Sequence, residues 1–188
     1  MTALSDAEFA RFQRFIYDAA GITLSHAKKA MVCGRLSKRL AALRLASFSE
    51  YLEVLFSGEA KAEVQIAIDL LTTNETYFFR ETKHFDLLAT LAQSDGAARA
   101  PFRIWSAACS SGEEPYSMAM VLADRLGERA WDVVATDISS RVLRRAQTGH
   151  YPLERTRHIP PDYLKRFCLR GIGEQEGTLL VARPLRQR

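Results

Sequence analysis

Little in this chain is suited to holding a metal or closing a disulfide. Its three cysteines, Cys33, Cys109 and Cys168, are odd in number and far apart. None has metal-ligand spacing, so they read as reduced thiols of a cytoplasmic protein. The four histidines, His26, His84, His150 and His158, are equally scattered, and no metal is expected. No apolar run approaches the ~18 residues of a membrane span. The opening MTALSDAEF lacks the basic and apolar regions of a signal peptide. Direct membrane insertion is therefore not expected. Internal repeats and low-complexity segments are absent too. One absence is local: between Asp18 and Glu50 there is no acidic residue.

What is present is ordinary globular material. The 188 residues are 47% hydrophobic and 26% charged, with a net charge of +4. That suits one large or two small domains. Ser5 and Glu8 spell a capping box before Phe9, Phe12, Ile16 and Ala19, with Gly21 placed to end the helix. A second helix is expected from about Lys28 to Leu45, with Val32, Leu36, Leu40 and Leu43 as its apolar stripe. Ser47 and Glu50 suggest another capping box, before Phe48, Leu52, Leu55 and Phe56. A fourth helix reads from Glu59 to Leu71, and a fifth from Thr82 to Gln93. Ser94 to Pro101 has linker composition. Later, Ser139 is placed to cap a short helix ended by Gly149. Pro160 and Pro161 introduce another helix, and Thr178 to Arg183 reads as a strand.

The centre of the chain reads strand, turn, helix, strand. Phe102 to Ala108 is a short apolar run; Cys109 to Gly112 are small and turn-forming; Pro115 sits where a first helical turn tolerates it. A second apolar run, from Trp131, ends in Asp137. A tight turn at a helix N-terminus, with an acid closing the next strand, is the layout that holds a nucleoside-bearing cofactor. There is no GxGxxG, and Glu113 and Glu114 stand where a pyrophosphate would need bare N–H groups. They suit a ligand with a positive end, and S-adenosylmethionine meets that description.

Each candidate residue also has a plainer role. Lys28, Arg35, Lys38 and Arg39 form a solvated helix face or a docking surface for an acidic helix. The missing acids tilt toward docking, since an exposed helix normally carries some i,i+4 partners. A nucleic-acid partner is not expected, because no aromatics interleave these charges. Asn74, Thr76 and Arg80 are loop and cap residues or one wall of a site. Glu113 and Glu114 complement a helix N-terminus or face a ligand. Asp137 caps the turn toward Ser139 or accepts ribose hydroxyls. No base is evident near Cys109, which is not read as a nucleophile.

The blocks LLTTNETYFFRE, IWSAACSSGEEPYSMAMVLAD and VVATDISSRVLRRAQTGHYP closely resemble the chemotaxis-receptor glutamate methyltransferases of the CheR type. KKAMVCGRLSKRLAALRLASFSEYL resembles that family's helical domain, and the likeness runs from about Phe9 to Leu164. It implies methyl transfer from S-adenosylmethionine to glutamates on the acidic cytoplasmic helices of membrane chemoreceptors. S-adenosylhomocysteine would be the product. By the same resemblance, Asn74, Thr76, Arg80, Glu113, Glu114 and Asp137 would contact the cofactor. Arg80 would also steer the reacting groups, and the basic second helix would dock the receptor. A receptor-binding module without catalysis is the alternative.

The expected fold is α + α/β: a small N-terminal helical bundle, then a partial Rossmann-like methyltransferase domain. Residues 1–71 are read as the receptor-docking domain, 72–101 as a connecting segment with its linker helix, and 102–188 as the first part of the methyltransferase domain. The family's catalytic domain continues past the point where this chain stops, inside a small antiparallel insert. A fragment of weak or absent activity is expected, with exposed sheet edges that invite self-association.

Overall fold

The computed structural model describes residues 3–94 and 101–188, so most of the linker expected at Ser94 to Pro101 lies outside the described residues. The chain forms two compact units, Met1–Thr73 and Asn74–Arg188.

The first unit holds helices α1 (Asp6–Ala20), α2 (Lys29–Leu43), α3 (Phe48–Phe56) and α4 (Lys61–Leu71), with a 3-10 turn at His26–Lys28 before α2. At the start of α1 the Glu8 amide donates to Ser5 Oγ while the Glu8 carboxylate accepts the Ser5 amide, a complete capping box. At α3 only half of the expected box forms. Ser47 Oγ accepts the Glu50 amide, but the Glu50 carboxylate takes the Ala46 amide. The apolar stripes meet in one core, in which Phe9, Phe12, Ile16, Val32, Leu36, Phe48 and Leu52 are almost wholly buried. Full burial of such side chains contributes about 1.5–3 kcal/mol each.

Polar groups complete this core. Glu63 lies on α4 with its side chain 10% exposed. Its carboxylate accepts from Arg39 Nε at 2.8 Å and from the Tyr51 hydroxyl at 2.7 Å, and it also pairs with Arg39 Nη2. The hydrogen bonds from Arg39 hold the Glu63 carboxyl below its ordinary value. Arg35 donates to the carbonyls of Leu70 and Thr72 at 3.0 and 2.8 Å, closing the C-terminal end of α4.

The second unit is built on two parallel strands, β1 (Phe102–Ala107) and β2 (Trp131–Thr136), with Phe102 opposite Trp131 and Ala107 opposite Thr136. Helix α6 (Glu113–Leu126) makes the crossover between them, and α5 (Thr82–Ala92) packs against α6. Phe85, Leu88, Met120, Leu122 and Trp131 share this core. The opposite face of the strands is open, with Trp105 65% exposed beside Val134.

Helix α7 (Ser140–Thr148) follows β2. Then come β3 (His150–Pro152), a 3-10 turn at Leu153–Thr156, α8 (Pro161–Phe167), β4 (Cys168–Arg170), β5 (Thr178–Val181) and α9 (Arg183–Arg186). The last three strands form an antiparallel sheet in the order β3-β5-β4. Only β5 was readable in the sequence. Three residues, the length of β3 and of β4, are too few to display an alternating pattern. Among the described residues no helix is long and apolar enough to cross a membrane, and no cluster of His, Cys, Asp and Glu could hold a metal ion.

The turn from β1 into α6 needs glycine at one position. Gly112 has φ +97°, and a Cβ there would lie 2.8 Å from the Ala146 Cβ and 2.8 Å from the Tyr151 hydroxyl. Backbone strain and overpacking each cost about 1–3 kcal/mol. Gly112→Ala is therefore expected to lower stability by about 3 kcal/mol or more, read from the urea midpoint. In the first unit, Glu63→Gln leaves Arg39 without its anion and is expected to cost about 3 kcal/mol. Because the native pKa of Glu63 is depressed, its stabilisation is full above the ordinary glutamate value and fades as pH falls through the native one. Acid titrations followed by circular dichroism should show a shallower acid limb in Glu63→Gln.

Candidate active site

The turn 108–112 is the point on which the site is assembled. Ala108, Ser110 and Gly112 all have positive φ, at 63°, 50° and 97°, so the chain kinks back and forth at the ends of the two strands. The Cys109 amide donates to the Thr136 carbonyl at 2.9 Å, and the Gly112 amide to the Cys109 carbonyl at 3.1 Å. The Ser110 amide donates to Asp137 Oδ2 at 2.8 Å. These three amides are spent inside the protein and are not offered to a phosphate.

Asp137 ties the two strand ends together. Its Oδ2 takes the Ser110 amide, and its Oδ1 takes the Ser139 amide at 2.8 Å. The capping expected of Ser139 falls to Asp137: the Ser139 side chain makes no cap at α7, and its hydroxyl is buried without a partner. Each Asp137 oxygen still has acceptor capacity beyond the amide it holds.

The segment 74–81 runs over this turn. The Ser110 hydroxyl donates to the Asn74 carbonyl at 3.2 Å. The Thr76 carbonyl accepts from Arg155 Nη2 at 2.9 Å. Phe78 is fully buried, its ring edge-on to Tyr151 at 5.0 Å. The Phe79 amide donates to Ser117 Oγ at 3.0 Å. Phe79 and Glu81 both have positive φ, 55° and 61°, a conformation costing bulky side chains about 1–2 kcal/mol each. Between them Arg80 is exposed, donating to the Glu75 carbonyl at 3.0 Å and lying 5.8 Å from the Tyr77 ring centroid.

The two carboxylates at the start of α6 have different surroundings. The Glu113 side chain is completely buried; Oε1 accepts from Arg155 at 2.9 and 2.6 Å, and Oε2 from the Ser111 hydroxyl at 2.7 Å. Glu114 is half-buried and accepts one bond, from the Ser106 hydroxyl at 2.7 Å. Glu114 and Arg80 line one cavity of about 200 Å³, together with His84, Phe85, Ile104 and Met118. Cys109 is buried beside the turn, and burial pushes its thiol up to about 11. It stays protonated near neutrality, which removes it as a nucleophile.

The predicted residues therefore fall in three groups. Arg80 and Glu114 share a cavity, Asn74 and Asp137 meet at Ser110, and Glu113 and Thr76 meet at Arg155. For Asn74 and Thr76 these contacts run through main-chain carbonyls. Of the basic strip, Lys28 and Lys38 are exposed, while Arg35 and Arg39 are half-buried and bonded within the first unit. Arg155 and Tyr151 were missed in the sequence. Tyr151 falls inside the block ending TGHYP but was given no role there, and Arg155 lies just past that block, in a short turn with no periodicity to mark it.

Comparison with known proteins gives the family. Residues 74–187 match the family model described as "CheR methyltransferase, SAM binding domain", and residues 7–72 the one described as "CheR methyltransferase, all-alpha domain". The chemotaxis protein methyltransferase of Escherichia coli (strain K12) is 46% identical, over 97% of this chain and 64% of its own length. That of Salmonella typhimurium is 45% identical, over 97% of this chain and 63% of its own. Chemotaxis protein methyltransferase 2 of Pseudomonas aeruginosa is 45% identical, over 96% and 64%. The chain thus spans just under two thirds of the length of these curated relatives. With both family models matched in succession, and together covering nearly all of it, the chain belongs to the CheR methyltransferase family.

Proposed function

We propose that this chain serves the transfer of a methyl group from S-adenosylmethionine to glutamate side chains of chemotaxis receptors. The observation that carries this reading is the convergence of segment 74–81, the turn 108–112, the start of α6 and Asp137. Of the two carboxylates at that helix start, Glu114 is the one at the cavity; it suits a cationic ligand and would repel a phosphate.

When bound, S-adenosylmethionine supplies an electrophilic methyl group on a positively charged sulfur. Asp137 has acceptor capacity for the ribose hydroxyls at the end of β2. Asn74 and Thr76 form the wall facing the turn. Glu114 sets a negative potential at the methionine end, while Glu113 behind it is paired with Arg155 and supports the turn. Arg80 is the cation that lines the same cavity as Glu114, where it orients an incoming carboxylate and serves as the catalytic group. A glutamate with an ordinary pKa near 4.3 is ionised at neutrality, so no base is required. One O–C bond forms and one S–C bond breaks, and no proton moves. The protein's task is alignment and exclusion of water.

Receptor docking is assigned to the basic face of α2. The exposed charges there, Lys38 on α2 and Lys28 in the 3-10 turn just before it, are the ones available to an acidic helix of a membrane chemoreceptor, while Arg35 and Arg39 support that face from within. A module that only binds receptor is not favoured, because the SAM-binding family model spans residues 74–187.

Calorimetry should detect S-adenosylhomocysteine binding to the chain. A hydrogen bond to a charged group is worth about 1.5–3 kcal/mol, so Asp137→Asn and Glu114→Gln are each expected to weaken it about ten- to a hundredfold. Unchanged affinity in both variants would sink the cofactor assignment. Separately, Lys28→Glu with Lys38→Glu should reduce association with receptor cytoplasmic fragments several-fold, most clearly at low salt, while S-adenosylhomocysteine binding stays unchanged.

A further inference from the structure

Arg155 belongs to the 3-10 turn Leu153–Thr156, outside every motif that pointed to the site. Its guanidinium nevertheless reaches two walls at once. Nε and Nη2 donate to Glu113 Oε1, at 2.9 and 2.6 Å, and Nη2 also donates to the Thr76 carbonyl at 2.9 Å. One wall is the first turn of α6; the other is the segment that carries Asn74 and Arg80.

The turn that supplies Arg155 is itself held. Tyr151 pairs with Leu179 across β3 and β5, and the Leu153 amide donates to the Gly177 carbonyl at 2.9 Å. The Tyr151 hydroxyl donates to the Ser111 carbonyl at 2.7 Å, and its ring meets Phe78. Residues 151–155 therefore touch each wall twice: Ser111 and Glu113 on one side, Phe78 and Thr76 on the other.

We propose that Arg155 is a positioning residue for methyl transfer, a brace that sets the spacing between segment 74–81 and the start of α6. The proposal rests on the cofactor reading given above. A planar fork of donors is needed to hold a carboxylate and a carbonyl in one geometry. A lysine ammonium keeps the charge but not the fork. That difference separates bracing from mere neutralisation of the buried Glu113.

The test compares wild type with Arg155→Lys by three measurements: thermal unfolding, calorimetric titration with S-adenosylhomocysteine, and amide hydrogen exchange over Asn74 to Glu81. A brace predicts an unfolding midpoint within a few degrees of wild type, affinity at least tenfold weaker, and exchange in that segment at least tenfold faster. Wild-type affinity in Arg155→Lys overturns the proposal, because charge alone then suffices. A loss of affinity without faster exchange in the segment overturns it as well. If Arg155→Lys does not fold, the double variant Glu113→Gln/Arg155→Gln removes both charges together and is judged by exchange alone, wild-type exchange over Asn74 to Glu81 overturning the proposal. Should wild type itself bind no S-adenosylhomocysteine, the cofactor reading fails, and the exchange comparison alone decides whether Arg155 holds the segment.

Discussion

The second unit is organised around a full negative charge with no access to water. Glu113 sits at the first position of α6 with its side chain wholly buried. An unpaired carboxylate there would be costly by several kcal/mol. Three things make it tolerable: the Arg155 guanidinium, the Ser111 hydroxyl and the positive end of the helix. Satisfying that one charge fixes where the turn after β3 lies, and the same guanidinium fixes the main chain at Thr76. A buried charge is a weak source of stability, but it admits few alternative arrangements. Here it orders three stretches that are distant in sequence.

Charge has a different use in the first unit. The missing acids between Asp18 and Glu50 leave α2 without partners on its own surface. Its arginines find them elsewhere. Arg39 meets Glu63 and Arg35 meets the carbonyls that end α4. A strip that looks uniform on a helical projection is thus divided by depth: arginines inward, lysines outward. The division follows chemistry, because a guanidinium fork can satisfy several fixed acceptors while an ammonium is better left hydrated.

The helices of the first unit were legible because each buries a stripe at helical spacing, and α1 and α3 also start at a serine cap. The β1–α6–β2 unit was legible for a related reason: apolar runs flank a turn of small residues. Less was readable where one side chain answers to a distant partner. Asp137 was legible as a cap for the turn toward Ser139, and it takes the Ser139 amide, but nothing near Arg155 says that it would reach residue 113. Strands β3 and β4 are each three residues long, and they exist because β5 lies between them. The candidate site was proposed from sequence as a list of residue types. Its grouping was not: a sequence shows Glu113 and Glu114 as equals, while the structure seals one inside and leaves the other at a cavity.

The chain's two tryptophans stand on the same pair of strands in opposite surroundings. Trp131 is 3% exposed in the core, with Arg188 against its ring, while Trp105 lies on the open face with its indole N–H on the Thr136 hydroxyl. The emission of this protein is therefore a sum of two separable dyes. Iodide added to the solvent reaches Trp105 and spares Trp131. The red-shifted component then reports on the outer ends of the strands beside Asp137, and the blue one on the integrity of the core, with no label attached.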